Sequence, residues 1–295
     1  MSAGKAEQAA HDAEDPVLLF RELEEDEIPD DEIPMFRIFT ATLQYPIDNK
    51  IKSAKLASDI NFVCQAEAVT ERIGDVIMYI WMQLIQIAHC APPDHPWIDC
   101  LVETIEILQN QEGTVPGMGE FGFWSKLLYF DDQMYEKFDY YVPIINPSGT
   151  PPKRELTGWK ALNTFAIKLM KGPMRWFSFV LHSMRHALEE PIGTGDIQSC
   201  RLWVASKWII VHGNAFHDCM VSLRTDEDAF ESFRLKPGKL CGDGVSPLGD
   251  DRWEYWQKQL QAQKSDSKNL EIDDETVQLM SEAIEKMNTI LGEKS

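Results

Sequence analysis

The chain has 295 residues, of which 44% are hydrophobic, and its 48 acidic and 28 basic side chains give a formal net charge of −20. This composition is typical of a globular protein, and a chain of this length buries most of its apolar surface in a core. The negative charge repels phosphate backbones and anionic lipids, so we expect no nucleic-acid partner and no membrane docking.

The acidic residues are concentrated at the N-terminus. Residues 1–34 contain twelve acids and two bases, which account for half of the net charge. Because like charges at this density oppose packing, we predict an acidic, largely disordered tail over 1–34 and a single globular domain over 35–295. The tail lacks the basic and apolar regions of a secretory signal, so we expect a cytoplasmic protein, an expectation equally compatible with the nucleus.

The apolar residues beyond the tail recur at helical spacing, and no stretch alternates apolar and polar residues long enough to predict a sheet. The predicted fold class is therefore all-α. Residues 74–91 form the most apolar helix, but their apolar run at 76–88 is too short to span a membrane. We predict that this helix lies at the centre of the core.

Acidic side chains at Asp131, Asp132 and Glu136 offer a metal site. Carboxylates on successive helical turns can hold Mg²⁺ ions that bridge a diphosphate, and the string resembles the aspartate-rich motif of class I terpene cyclases. The second metal motif of those enzymes has no good counterpart, since residues 214–222 match its spacing but not its residue types. We therefore predict no cofactor, with magnesium as the alternative.

A second group of polar residues lies on the helix predicted at 176–190. Two histidines four residues apart, followed by a carboxylate, can bind a metal or act as an acid and base pair. The same spacing describes a solvated face or a buried Arg185–Glu189 pair, and it lacks the glutamate of the HExxH metalloprotease motif. Aromatic residues are numerous enough to line a ligand pocket as well as a core. The candidate pocket residues are His182, Arg185, His186, Glu189, Trp208 and His212.

Two further helices are predicted in the C-terminal part of the chain, and the first contains Trp208 and His212. Residues 200–213 are apolar on almost every side, and Gly213 is predicted to end that helix. Near the C-terminus, apolar residues recur at spacings of three and four, which predicts a helix docked on the core or, alternatively, a short homodimer seam. These residues are Val277, Met280, Ile284, Met287 and Leu291.

The order and spacing of four segments between residues 120 and 290 resemble a fungal family known only as a domain of unknown function, number 3632. The positions that carry the resemblance are Trp159, Leu162, Asn163 and Phe165, then Arg185, Ala187, Leu188 and Glu189, then Ala205, Trp208 and Ile209, and finally Arg252, Trp253 and Trp256. The resemblance implies an intracellular fungal protein, sometimes encoded beside secondary-metabolite genes. It supplies no catalytic residues.

The resemblance and the aromatic content together suggest an accessory or small-molecule-binding protein of a secondary-metabolite pathway. Its expected partner is an apolar or aromatic metabolite. Whether the chain is an enzyme stays open. The alternatives are a magnesium-dependent enzyme acting on a prenyl diphosphate and a cofactor-free cyclase or isomerase.

Overall fold

A computed structural model describes residues 17, 20, 28, 30, 33–69, 72–145, 153–171, 176–223, 236–241 and 245–292, excepting the side chains of 121 and 140–145. Within these ranges the chain forms ten α-helices, two short 3-10 helices and no β-strand. The all-α prediction is confirmed. The helices are α1 (Ile33–Gln44), α2 (Asn49–Glu67), α3 (Ile73–Cys90), α4 (Pro96–Gln109), α5 (Phe130–Ile145), α6 (Lys153–Leu169), α7 (Phe177–Leu188), α8 (Gly195–Leu223), α9 (Asp250–Ser265) and α10 (Asp274–Gly292).

The helices are organised in two compact units. Unit 1 comprises Met1–Tyr141 and Thr157–Leu169, and unit 2 comprises Val142–Leu156 and Met170–Ser295. Each unit has its own set of buried aromatic and aliphatic side chains. The single domain over 35–295 stays a prediction.

The centre of unit 1 is the apolar helix α3. Trp81 is fully buried there, donates its indole N–H to the carbonyl oxygen of Leu128 at 2.8 Å, and meets the ring of Phe130 edge-on at 5.5 Å. By length and composition α3 is also the one helix of the described chain that could cross a membrane, although 61% of it is buried within the structure. A core helix meets the same criteria when apolar neighbours cover it.

Part of the acidic N-terminal segment contributes to the packing of unit 1. Phe20 is 3% exposed, stacks on Trp97 at 5.2 Å and meets Phe36 edge-on at 5.9 Å. Ile28 is buried as well. Most of the predicted tail over 1–34 lies outside the described residues.

Unit 2 is built around α8, which is longer than the sequence predicted. The helix continues past Gly213 to Leu223, so this glycine does not end it. The absence of a side chain at Gly213 instead leaves space for Ile290 of α10. A Cβ at Gly213 would lie 3.0 Å from Cδ1 of Ile290 on α10. Met280 and Met287, in the apolar stripe of α10, are fully buried inside unit 2. The stripe therefore contributes to this core, and its role as a dimer seam stays a prediction.

Candidate functional site

Unit 1 contains an open groove between α1, α2 and α3. Its volume is about 340 Å³. Most of its wall is apolar, and two lining side chains, Ile38 and Phe62, are 44% and 71% exposed. The lining residues are Pro34, Met35, Ile38, Phe62, Val63, Ala66, Glu67, Arg72, Val76 and Tyr79. Apolar side chains that remain in contact with water around a concave space are typical of a ligand site.

The two charged groups of the groove come from the ends of two helices. Glu67 is the last residue of α2, and Arg72 is the N-cap residue of α3. Both line the groove with the phenol of Tyr79. An apolar wall with a few charged and hydroxyl groups can hold the body of a small molecule and orient one polar end.

The structure brings together the two histidines of the predicted pocket. The Nε2 atoms of His182 and His186 are in direct contact, and the rings stack with centroids 4.2 Å apart. His186 is buried, whereas His182 is half-buried. Burial lowers the pKa of His186 to about 2, and His182, Arg201 and Arg185 add to this effect. His186 is therefore neutral at physiological pH.

The carboxylates that follow these histidines form different pairs from the one the sequence suggested. Arg185 pairs with Glu190 at 3.0 Å, rather than with Glu189. Glu189 lies just beyond the last turn of α7, where helical spacing no longer fixes the direction of its side chain. It instead pairs with Arg252 on α9. The sequence offered a buried Arg185–Glu189 pair as one alternative, and the structure does not form it.

Each carboxylate oxygen of Glu189 accepts two hydrogen bonds. Oε1 accepts from Nε of Arg252 and from the indole of Trp256, both at 2.6 Å. Oε2 accepts from a second guanidinium nitrogen of Arg252 at 2.8 Å and from the backbone N–H of Gly238 at 2.6 Å. Four donors satisfy the capacity of a carboxylate, so Glu189 joins α7, α9 and the 236–241 segment. This arrangement has a structural role and leaves no oxygen for a ligand.

The last two pocket candidates lie together on α8. The rings of Trp208 and His212 are 5.8 Å apart. Trp208 is fully buried, whereas His212 is half-buried. Their contact follows from spacing of one helical turn.

The acidic string lies on the outer face of α5. Asp132 and Glu136 are exposed, while Met134 and Phe138 are buried on the opposite face. Residues 214–222, which match the spacing of the second metal motif but not its residue types, lie on α8 in unit 2. In the described parts of the chain, no three His, Cys, Asp or Glu side chains are grouped to hold a metal ion. The magnesium alternative stays a prediction.

The comparisons with known proteins identify a family. Residues 81–260, more than half of the chain, match the family described as Protein of unknown function (DUF3632). The chain belongs to this family. No curated protein and no solved structure matches the chain. The resemblance noted over 120–290 is confirmed for most of that range, and the match begins earlier, within α3.

The family segment and the groove occupy different parts of the chain. Glu189, Arg252 and the histidine pair lie within residues 81–260. Every residue that lines the groove precedes residue 81. Sequence reasoning missed the groove because its walls come from three helices, each of which shows only an ordinary apolar face. The one available signal was the large apolar residue Phe62, which lies outside the buried face of α2.

Proposed function

We propose that this protein binds an apolar small molecule in the groove between α1, α2 and α3. The observation that carries the proposal is the groove itself, with its volume of about 340 Å³ and its largely apolar wall. Ligand pockets span roughly 300–1,000 Å³, so the groove suits a compact metabolite. Phe62 and Tyr79 favour a ligand with a flat or aromatic body.

The charged ends of the groove suggest a ligand with one polar group. Glu67 and Arg72 lie at neighbouring helix ends and offer both an acceptor and a donor. A hydroxyl or carboxyl group could bond there while the apolar body lies against Ile38 and Val76. Such a ligand gains affinity mainly from apolar burial and orientation from a single polar contact.

We also propose the metabolic pathway in which this binding activity is used. We infer that the protein is a cytoplasmic accessory protein of a secondary-metabolite pathway in a fungus. The support for this part is the resemblance to the family, some members of which are encoded beside such genes. The binding part rests on the groove, which lies outside the family segment, so each part has a separate test.

Binding is tested with N-phenyl-1-naphthylamine, a neutral probe whose fluorescence rises in apolar surroundings. The protein should bind it with saturation, and Ile38→Glu should weaken binding by about tenfold or more because it places a charge in the apolar wall. The matched control is Ile192→Glu in unit 2, since Ile192 and Ile38 are both 44% exposed. Equal binding by both variants would contradict the proposal.

The pathway role is tested by comparing metabolites in strains with and without the gene. We expect the amount of one secondary metabolite to fall when the gene is deleted. Reintroducing the Ile38→Glu variant should fail to restore it, whereas Ile192→Glu should succeed. An unchanged set of metabolites would contradict the pathway role but not the binding.

A further inference from the structure

Helix α2 has a second face that is largely apolar. One face packs within unit 1 through Leu56, Ile60 and Cys64, all fully buried. The other face is exposed; besides Lys55 and Gln65 it carries five apolar residues and one serine at successive spacings of three, four, four, four and three. We name this second face the α2 stripe; its residues are Ile51, Ala54, Ser58, Phe62, Ala66 and Val69. A helix with one covered face normally presents charged and amide side chains on the other.

The exposure of the α2 stripe is large. Ile51 is 58% exposed, Phe62 is 71% exposed and Val69 is 93% exposed. Val69 lies just after the C-cap residue Ala68, whose backbone keeps helical dihedral angles, so it continues the line of the stripe. The stripe runs along the whole of a 19-residue helix, which is about 28 Å long. Single exposed apolar residues are ordinary, but a row of this length indicates a contact surface.

The α2 stripe is symmetric about residue 60. Ile51 and Val69 lie nine residues before and after this point, Ala54 and Ala66 lie six residues away, and Ser58 and Phe62 lie two residues away. An antiparallel copy of the helix would therefore place two β-branched residues opposite each other, two alanines opposite each other, and Phe62 opposite Ser58. Small residues let helix axes approach to about 8 Å, and a large side chain fills the space above a small one.

The serine of the stripe is compatible with a covered position. A serine inside a helix can donate its hydroxyl to the carbonyl oxygen four residues earlier, which for Ser58 is that of Ala54. A hydroxyl that is bonded in this way can be buried without the cost of an unsatisfied polar group. With this bond formed in the dimer, Ser58 would act in the stripe as a small residue.

From this self-complementarity we propose that α2 is the contact surface for a second copy of this chain. Two copies meet through a twofold axis that crosses the α2 stripe level with residue 60, between Ser58 and Phe62, with their α2 helices antiparallel. The same patch then serves both copies, as an isologous dimer requires. Phe62 of each copy packs on Ser58 of the other.

The charges of α2 also suit an antiparallel pair. In an acidic chain, this helix carries three lysines and two acids, so two copies meet here without strong repulsion. Lys50 and Lys55 belong to its first half, Lys55 is paired with Asp59 at 2.7 Å, and Glu67 ends the helix. Antiparallel pairing brings the lysine-bearing half of one copy near the Glu67-bearing end of the other. It also aligns the two helix dipoles favourably.

The size of the α2 stripe sets the strength of this dimer. A single helix face of this length buries roughly 300 Å² per copy, whereas stable interfaces bury about 800 Å² per partner. The dimer is therefore weak and depends on concentration. Sedimentation velocity at protein concentrations between about 1 µM and 1 mM measures dissociation constants in the range expected for an interface of this size.

The first test replaces the centre of the stripe. Ser58→Glu places a larger, charged side chain against Phe62 of the other copy and should raise the dimer dissociation constant by about tenfold or more. Ser265→Glu on α9 makes the same change at another exposed serine and should leave that constant unchanged. A protein that is monomeric throughout, or a Ser58→Glu variant that dimerises like the parent chain, would overturn the proposal.

The second test determines the orientation of the helices. Ile51→Cys and Val69→Cys variants should form a disulfide with each other when mixed and oxidised, but only poorly alone. Cross-linking of Ile51→Cys to itself would indicate parallel helices and would overturn the proposal. The parent chain is the control, because five of its six cysteines are buried and Cys219 is half-buried. Ile51, Ser58 and Val69 do not line the groove, so these substitutions leave its wall unchanged. Phe62 and Ala66 belong both to the α2 stripe and to the groove wall, so the dimer covers part of the groove, and probe binding is measured at concentrations where the chain is monomeric.

Discussion

Glu189 and Arg252 form an ion pair that has no exposure to solvent in unit 2. Two hydrogen bonds of 2.6 and 2.8 Å join the guanidinium to the carboxylate, and Trp256 and Gly238 occupy its remaining acceptor sites. A further guanidinium nitrogen of Arg252 donates to the carbonyl oxygen of Pro247 at 2.5 Å. The pair therefore connects three separate stretches of chain, and each stretch depends on the others.

The first prediction is that Glu189→Gln destabilises the protein strongly. The variant leaves the guanidinium of Arg252 buried without its counter-charge, so the free energy of unfolding should fall by about 3–5 kcal/mol. Urea unfolding followed by tryptophan fluorescence measures the change. The control is Glu190→Gln, because the Glu190–Arg185 pair is partly exposed, with 13% and 26% of its side chains accessible. That control should cost about 1 kcal/mol or less, and equal losses for both variants would contradict the prediction.

The second prediction concerns the dependence of stability on pH. The pKa of His186 is lowered to about 2 in the folded chain, mainly by burial, whereas an unfolded histidine has a pKa near 6.5. The unfolded chain therefore binds this proton more readily, and folding is favoured above pH 6.5. Stability should decline as the pH falls below 6.5, by at most about 1.4 kcal/mol per pH unit from this one group.

The variant His186→Gln removes the titrating group and should flatten this decline. Urea midpoints at about pH 7, 6 and 5 measure it, a range in which an unfolded histidine gains its proton. His182, Arg185 and Arg201 face the imidazole and stay in place in the variant. If the urea midpoint of the variant changes with pH as steeply as that of the parent chain, groups other than His186 cause the loss of stability in acid.

The third prediction is that Gly238 tolerates no side chain. A Cβ at this position would lie 2.7 Å from both Cβ and the carbonyl oxygen of Glu189. Gly238→Ala should therefore push the 236–241 segment away from the carboxylate and cost about 1–3 kcal/mol. Gly292→Ala at the end of α10 is the control, because a Cβ there meets no atom within 4 Å. Thermal unfolding that shows equal midpoints for both variants would contradict the predicted clash.

Features that depend on nearby residues could be predicted from the sequence. Helical spacing predicted the all-α class and the buried position of α3. It also placed Met280 and Met287 on the apolar face of α10. Spacing of one turn placed His182 beside His186, because residues i and i+4 lie on the same side of any helix.

Features that depend on distant residues could not be predicted in this way. Glu189 and Arg252 are 63 positions apart, and helical spacing offered Arg185 as the nearer partner. Gly213 has the residue type of a helix end, but its function is to admit Ile290. The groove requires three helices to meet. In each case the nearby sequence allows several arrangements, and the packing of residues distant in the chain determines which one forms.

The last prediction is that Tyr255→Phe does not destabilise the protein. The hydroxyl of Tyr255 is buried and has no hydrogen-bond partner among the described residues. Burial, with Cys241 and Glu189, raises its pKa to about 12, so the phenol stays neutral. Removing an unpaired buried hydroxyl while keeping the ring should leave the free energy of unfolding unchanged or raise it by up to about 1 kcal/mol.

The matched comparison for Tyr255 is Trp256→Phe on the same helix. That change removes an indole N–H that donates to Glu189 at 2.6 Å, so urea unfolding should show a loss of about 2 kcal/mol or more. A comparable loss in Tyr255→Phe would mean that an ordered water satisfies the hydroxyl. Comparing the two variants therefore distinguishes a buried polar group without a hydrogen-bond partner, the Tyr255 hydroxyl, from one that stabilises the Glu189–Arg252 pair, the Trp256 indole.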